Sequence, residues 1–204
     1  MSLMSFLVML LQAITAITAI LLYGKFKNRF FLTLRLILVV NVLVELVGAY
    51  YKYIEKNAFT IYIIYSGIVF TLITLMYLQI IKDIFWRKYL KLITFCFILF
   101  CFFAFLTKIN FTYVVVFGAL ITVFGAFLYL KELLVSDKIL NYKKMLPFWV
   151  TVGFLVFYLP SIPFFTLLKH MTDRGLFFIL NALVILMNIF ILYGLLCSKK
   201  EEMY

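Results

Sequence analysis

One carboxylic acid, Glu45, stands well inside an apolar stretch that runs from Phe30 to Tyr53. Asn41 lies one helical turn before it, and Gly48 falls close to the same face. An ionised side chain at mid-span costs about 2.5–3.5 kcal/mol on insertion scales, so such groups face a bundle interior or a water-filled cavity. The fourteen Leu, Ile, Val and Phe residues of that stretch return roughly 4–8 kcal/mol, so insertion still proceeds. At ~1.5 Å of rise per residue, Glu45 lies roughly 12 Å below one membrane surface, with Asn181 near 9 Å, Tyr65 and Ser66 near 10–12 Å, Gln12 and Pro160 near 14 Å, and Asn41 near 18 Å. Tyr158 and Ser161 share that zone, and Asn188 continues the Asn181 face one heptad deeper. A carboxyl, three amides and several hydroxyls in one layer can bind a polar ligand by hydrogen bonds, or can hold helices to one another. Both readings stand at the level of sequence, with the pocket slightly favoured.

Other chemistries lack their parts. No lysine occurs between Leu176 and Leu196, so the seventh apolar stretch cannot form a retinal Schiff base. His170 is the single histidine, which excludes an H-E-x-x-H zinc site and bis-histidine haem ligation. There is no G-x-S-x-G elbow and no pair of intramembrane aspartates, and Glu45 has no second acid or activated nucleophile beside it. Cys96, Cys101 and Cys197 form no C-x-x-C pair and read as apolar fillers. The expectation is a non-enzymatic chain without cofactor or metal.

The elements that must position the polar layer follow from composition and charge. Of 204 residues, 67% are hydrophobic and 13% charged, against about half and a quarter in soluble domains. Seven apolar stretches are drawn at Ser2–Tyr23, Phe30–Tyr53, Phe59–Lys82, Lys88–Thr107, Phe111–Lys131, Leu146–Lys169 and Gly175–Cys197. Seven crossings of a ~30 Å hydrocarbon core consume roughly 140–165 residues, which leaves room for short loops and no soluble domain between them. The expected class is all-α: a single polytopic domain, 1–204, of seven transmembrane helices.

Basic residues mark one side of it. Lys25, Lys27, Arg29 and Arg35 follow the first stretch, Lys82, Arg87, Lys88 and Lys91 the third, Lys131, Lys138, Lys143 and Lys144 the fifth, and Lys199 and Lys200 the seventh. The alternate gaps hold only Lys52, Lys56, Lys108, Lys169 and Arg174. Loops rich in Lys and Arg stay in the cytoplasm, so the N-terminus is expected outside and the C-terminus inside. Tyr23, Trp86, Tyr89, Tyr129, Tyr142, Trp149 and Tyr193 fall near the basic side, where amphipathic rings prefer the interface. The net charge of +11 is met by anionic headgroups and not by nucleic acid, because no soluble basic segment interleaves with aromatics.

Within the stretches, Ala13, Ala16 and Ala19 form one small-residue stripe, and Gly118, Thr122 and Gly125 form another, suited to close helix packing. The fourth stretch is apolar all round and is expected to be the most lipid-exposed. Lys131–Leu146 alternates charged and apolar residues and reads as an interfacial helix; Lys131, Lys138, Lys143 and Lys144 would contact headgroups or a cytoplasmic partner. The run Tyr158-Leu-Pro-Ser-Ile-Pro is expected to break the sixth helix. The second stretch has no proline to match it, so parallel three-helix repeats are not supported.

Three segments carry a resemblance: Asn41-Val-Leu-Val-Glu-Leu-Val-Gly-Ala-Tyr, Tyr129-Leu-Lys-Glu-Leu-Leu-Val-Ser-Asp-Lys and Pro147-Phe-Trp-Val-Thr-Val-Gly-Phe-Leu-Val-Phe-Tyr-Leu-Pro. On these the chain resembles a group of small seven-helix membrane proteins of Bacteroidetes, which implies the helix count and a bacterial inner membrane but no activity. In size and hydropathy it is also similar to small transmembrane accessory proteins of CRISPR loci. The functional expectation is a sensory or regulatory membrane subunit, with an outward polar pocket around Gln12, Asn41, Glu45, Tyr65, Tyr158, Ser161, Asn181 and Asn188, acting through a cytoplasmic or membrane partner. A channel or transporter using Glu45 and the broken sixth helix, and a defence-associated accessory protein, are the alternatives; self-association is open.

Overall fold

The computed structural model describes residues 3–26, 28–54, 59–167 and 177–198. The described residues form seven long helices, each long and apolar enough to cross a membrane. They are α1 (Leu3–Leu21), α2 (Arg29–Tyr53), α3 (Phe59–Ile80), α4 (Ile84–Thr107), α5 (Phe111–Val135), α6 (Leu146–Leu167) and α7 (Phe177–Cys197). Helices are the expected answer to hydrocarbon, because every backbone N–H and C=O must find a partner within its own segment.

Helix starts and stops are set by local hydrogen bonds. Asp83 accepts from Phe85 N at 2.8 Å and starts α4 four residues earlier than the apolar run suggests. Asn110 accepts from Thr112 N at 3.0 Å and starts α5. Between those two helices Lys108 takes the left-handed conformation, φ 53°, and Ile109 N returns to Ala104 O at 3.2 Å, closing α4.

Each helix packs on its sequence neighbours. α5 reaches past α4 to pack on α3, and α7 returns to α1. The helices α1, α2, α3, α5, α6 and α7 therefore make a closed ring, and α4 leans on its outside against α3 and α5. Burial follows from that placement: 61% of the apolar window of α5 is buried, and 22% of that of α4. The all-apolar fourth helix is the most exposed of the seven, as its sequence implies.

Lipid tails are as apolar as leucine, so close packing and hydrogen bonds hold such a bundle together. The small face of α5 meets aromatic rings of α3. A Cβ on Gly118 would overlap the Phe70 ring, and one on Gly125 would sit 3.0 Å from Tyr77 Cδ2. Gly153 of α6 brings its backbone against α7, where a Cβ would lie 3.0 Å from the Met187 carbonyl oxygen. Tyr77 Oη and Thr151 Oγ1 join α3 to α6 at 3.4 Å, with both residues fully buried.

The alternate gaps that sequence marks as basic do gather at one end. Lys25 Nζ, after α1, donates to the Leu196 carbonyl at the end of α7 at 3.2 Å. Gln79 Nε2 near the end of α3 donates to Thr33 Oγ1 near the start of α2 at 3.1 Å. The Glu132 carboxylate of α5 accepts from Lys82 N at 2.9 and 3.2 Å and from Asp83 N at 2.9 Å, in the turn between α3 and α4.

Two expected details differ. The sixth helix is not broken: α6 runs through Pro160 and Pro163 to Leu167. Both prolines are exposed, and Ser161 Oγ and Thr166 Oγ1 donate to the carbonyls of Tyr158 and Pro163 at 2.9 Å each. The carbonyls those prolines leave without an i+4 donor are Val156 and Leu159, so the two hydroxyls add bonds near the prolines without replacing the lost ones. Lys131–Leu146 is not one interfacial helix either. α5 continues to Val135, Ser136 turns extended (φ −98°, ψ 150°), and Asp137–Lys144 forms 3-10 turns interrupted at Asn141.

Candidate functional site

The layer of polar groups is divided between two places. Tyr65 and Ser66 of α3 and Tyr158 and Ser161 of α6 line a cavity of about 150 Å³, with Phe111 and Val115 of α5 as its third wall. Val69, Phe70, Phe157 and Phe165 complete the lining. Phe111 opens α5 and Phe165 lies near the end of α6, so the cavity occupies the half of the bundle opposite the basic end. Its shape is set by rings: Phe70 packs on Tyr158 at 5.5 Å between centroids, and Tyr158 on Phe157 at 4.9 Å. Phe70 can stand there because α5 offers it Gly118.

The second place is beside the cavity. Tyr65 Oη donates to Asn41 Oδ1 at 3.0 Å, tying α3 to α2. Glu45, one turn further along α2, is exposed, within electrostatic range of Tyr62 and Tyr65, and does not line the cavity. Tyr65 belongs to both places, and so links the acid and amide of α2 to the cavity wall.

The remaining expected residues stand apart. Gln12 is buried in α1, and its Oε1 has no hydrogen-bond partner among the described residues. Asn188 is buried in α7 and donates to the carbonyl of Val184 in its own helix at 2.9 Å. Asn181 is half-buried and lines none of the cavities described here. His170 lies outside the described residues. Among those that are described, no group of three His, Cys, Asp or Glu side chains could hold a metal ion.

What the cavity can do is recognise size and one or two polar atoms. A ring-lined space of about 150 Å³ is of the size that accepts benzene in a protein core. Four hydroxyl-bearing side chains around it can orient a ligand with a single donor or acceptor. Nothing in the lining is ionisable at neutral pH, so a charged ligand has no counter-ion there.

At the opposite end, the lysines assigned to a partner or headgroups hold aromatic and amide groups. Lys131 Nζ lies 4.9 Å from the Trp86 ring, Lys143 Nζ lies 5.9 Å from Tyr142, and Lys144 Nζ donates to Asn141 Oδ1 at 3.5 Å. The side chain of Lys138 is outside the described set. Trp149 Nε1 donates to the Lys143 carbonyl at 2.8 Å, and its ring packs edge-on against Tyr193 at 4.5 Å. These rings and cations form two groups, Lys131 with Trp86, and Lys143 with Tyr142, Trp149 and Tyr193.

Sequence reasoning missed Val69, Phe70, Phe111, Val115, Phe157 and Phe165, because an apolar side chain at helical spacing reads equally well as lipid-facing. The one signal was Gly118 opposite them in the helix order. Compared with protein-family models, curated proteins and solved structures, the chain matches none.

Proposed function

We propose that the chain is a non-enzymatic sensory or regulatory subunit of a bacterial cytoplasmic membrane, with its N-terminus outside and its C-terminus in the cytoplasm. A small, mostly apolar molecule enters the cavity between α3, α5 and α6 from the outer side. Its occupancy is passed along those helices to a partner protein at the basic end. The observation that supports this reading most is the cavity itself: ring-lined, hydroxyl-bearing and set in the Lys/Arg-poor half. The orientation rests on the retention of Lys and Arg in cytoplasmic loops. A conduction path gains less support from the same geometry, since α6 is continuous and Glu45 stands outside the cavity.

Phenol serves as a probe of the right size. Binding at a hundredfold excess over its dissociation constant would add about 2.7 kcal/mol to the folded state, an easily measured rise in melting temperature in mild detergent. The rise should vanish in Val115→Phe, which fills the cavity from α5, and the tagged full chain should co-purify with a specific companion. A chain that melts alike with and without phenol, and that is recovered without any companion, would overturn the proposal.

A further inference from the structure

The basic end carries a second hollow, unrelated to the ligand cavity. A groove of about 480 Å³ lies between the start of α2, the end of α3 and the first two turns of α4. Arg29, Arg87 and Lys91 line its rim together with Gln79, and Leu75 and Leu78 form an apolar wall. Arg87 and Lys91 are one turn apart on α4, so both cations address the groove from the same helix face.

Two acids at this end are committed to backbone amides: Asp83 accepts from Phe85 N at 2.8 Å, and Glu132 accepts from Lys82 N and Asp83 N. Among the described residues no ion pair is recorded for Arg29, Arg87 or Lys91. α2 also begins at this groove, and the N-terminal end of its 25 residues adds to the positive potential.

We propose that this groove is a discrete binding site for the phosphate headgroup of an anionic phospholipid. The cations and the N-terminal end of α2 take the phosphate, and Leu75 and Leu78 receive the upper part of an acyl chain. A soluble phosphate compound would use only the rim. The apolar wall, which continues α3 into the bilayer, is what favours a lipid. Bound there, the lipid bridges α2, α3 and α4, adding to the Gln79–Thr33 bond that joins α3 to α2 at this end.

Native mass spectrometry of the full chain tests this, after exchange into detergent micelles doped with phosphatidylglycerol and phosphatidylcholine in equal amounts. One phosphatidylglycerol per chain should be retained preferentially. The triple variant Arg29→Gln, Arg87→Gln, Lys91→Gln should lower that retention by about tenfold or more, since each lost cation weakens attraction to an anionic headgroup. A control triple, Lys88→Gln, Lys143→Gln, Lys144→Gln, removes equal charge from the same end but away from the groove, and should change retention by less than about twofold. Melting of both variants within a few degrees of the unmodified chain verifies that they fold. Equal losses from the two triples would mean diffuse attraction and would overturn the site. Displacement of the lipid by millimolar inorganic phosphate would assign the groove to a soluble anion and overturn the lipid reading.

Discussion

Glu132→Ala should be the most damaging substitution of an acid in this protein. Its carboxylate makes three contacts with amide nitrogens, at 3.2 and 2.9 Å to Lys82 and 2.9 Å to Asp83, across 49–50 residues of sequence. The contacts are open to solvent, so two effective bonds are counted at about 1 kcal/mol each, the worth of an ordinary hydrogen bond and below the range for charged acceptors. The carboxylate also lies at the N-terminal end of α4, worth about 0.5 kcal/mol more. The loss is about 2.5 kcal/mol, or roughly 5–10 °C in melting temperature for a chain of this size. Glu132→Gln keeps one acceptor oxygen and should lose about half as much. Asp137→Ala removes an exposed acid from the same end and should leave melting unchanged. Melting in one mild detergent, at one scan rate, measures all three. If Glu132→Ala melts within about 1 °C of the unmodified chain while Asp137→Ala does the same, the turn between α3 and α4 is held by something else and the reasoning fails.

Gly118→Ala forces the Phe70 ring away from α5 and into the cavity; it should cost about 1–3 kcal/mol and abolish phenol binding together, and retained binding would sink the geometry of that wall. Tyr77→Phe, which deletes the buried bond to Thr151, should lower stability by about 0.6–1.5 kcal/mol, and Thr151→Val added to it should cost little more, as a double-mutant cycle of melting curves would show. Pro160→Ala should be neutral or stabilising, because the ring is exposed in a continuous helix whose interior proline is intrinsically unfavourable by up to about 3 kcal/mol; a fall in melting temperature would argue for a functional break at that point.

Much of the architecture was legible, for a plain reason. Hydrocarbon permits few backbone solutions, so span length and apolar content suffice to count helices, and the alternation of Lys and Arg pairs the loops by end. What escaped depended on groups distant in sequence or on rotation about a helix axis. Glu132 reads as an ordinary interface charge until the turn at Lys82 and Asp83 is seen against it. Tyr65, Tyr158 and Ser161 were placed in one layer by depth alone, and depth is what the structure keeps. Glu45 and Asn181 share that depth in the sequence, yet they stand on α2 and α7, which give the cavity no wall. The prolines of α6 were read by their missing N–H groups. α6 nonetheless continues through both, with the prolines on an exposed face.

The seam between α1 and α7 has a consequence for biogenesis. Lys25 and its acceptor at Leu195 are 170 residues apart, and at ~5–20 residues per second the ribosome needs roughly 10–30 s to make the chain between them. Throughout that interval α1 resides in the bilayer with its seam-facing side against lipid or an insertase. The circle of helices shuts only when α7 arrives, so a stalled or shortened nascent chain would present an unclosed arc to the cell's quality-control proteases.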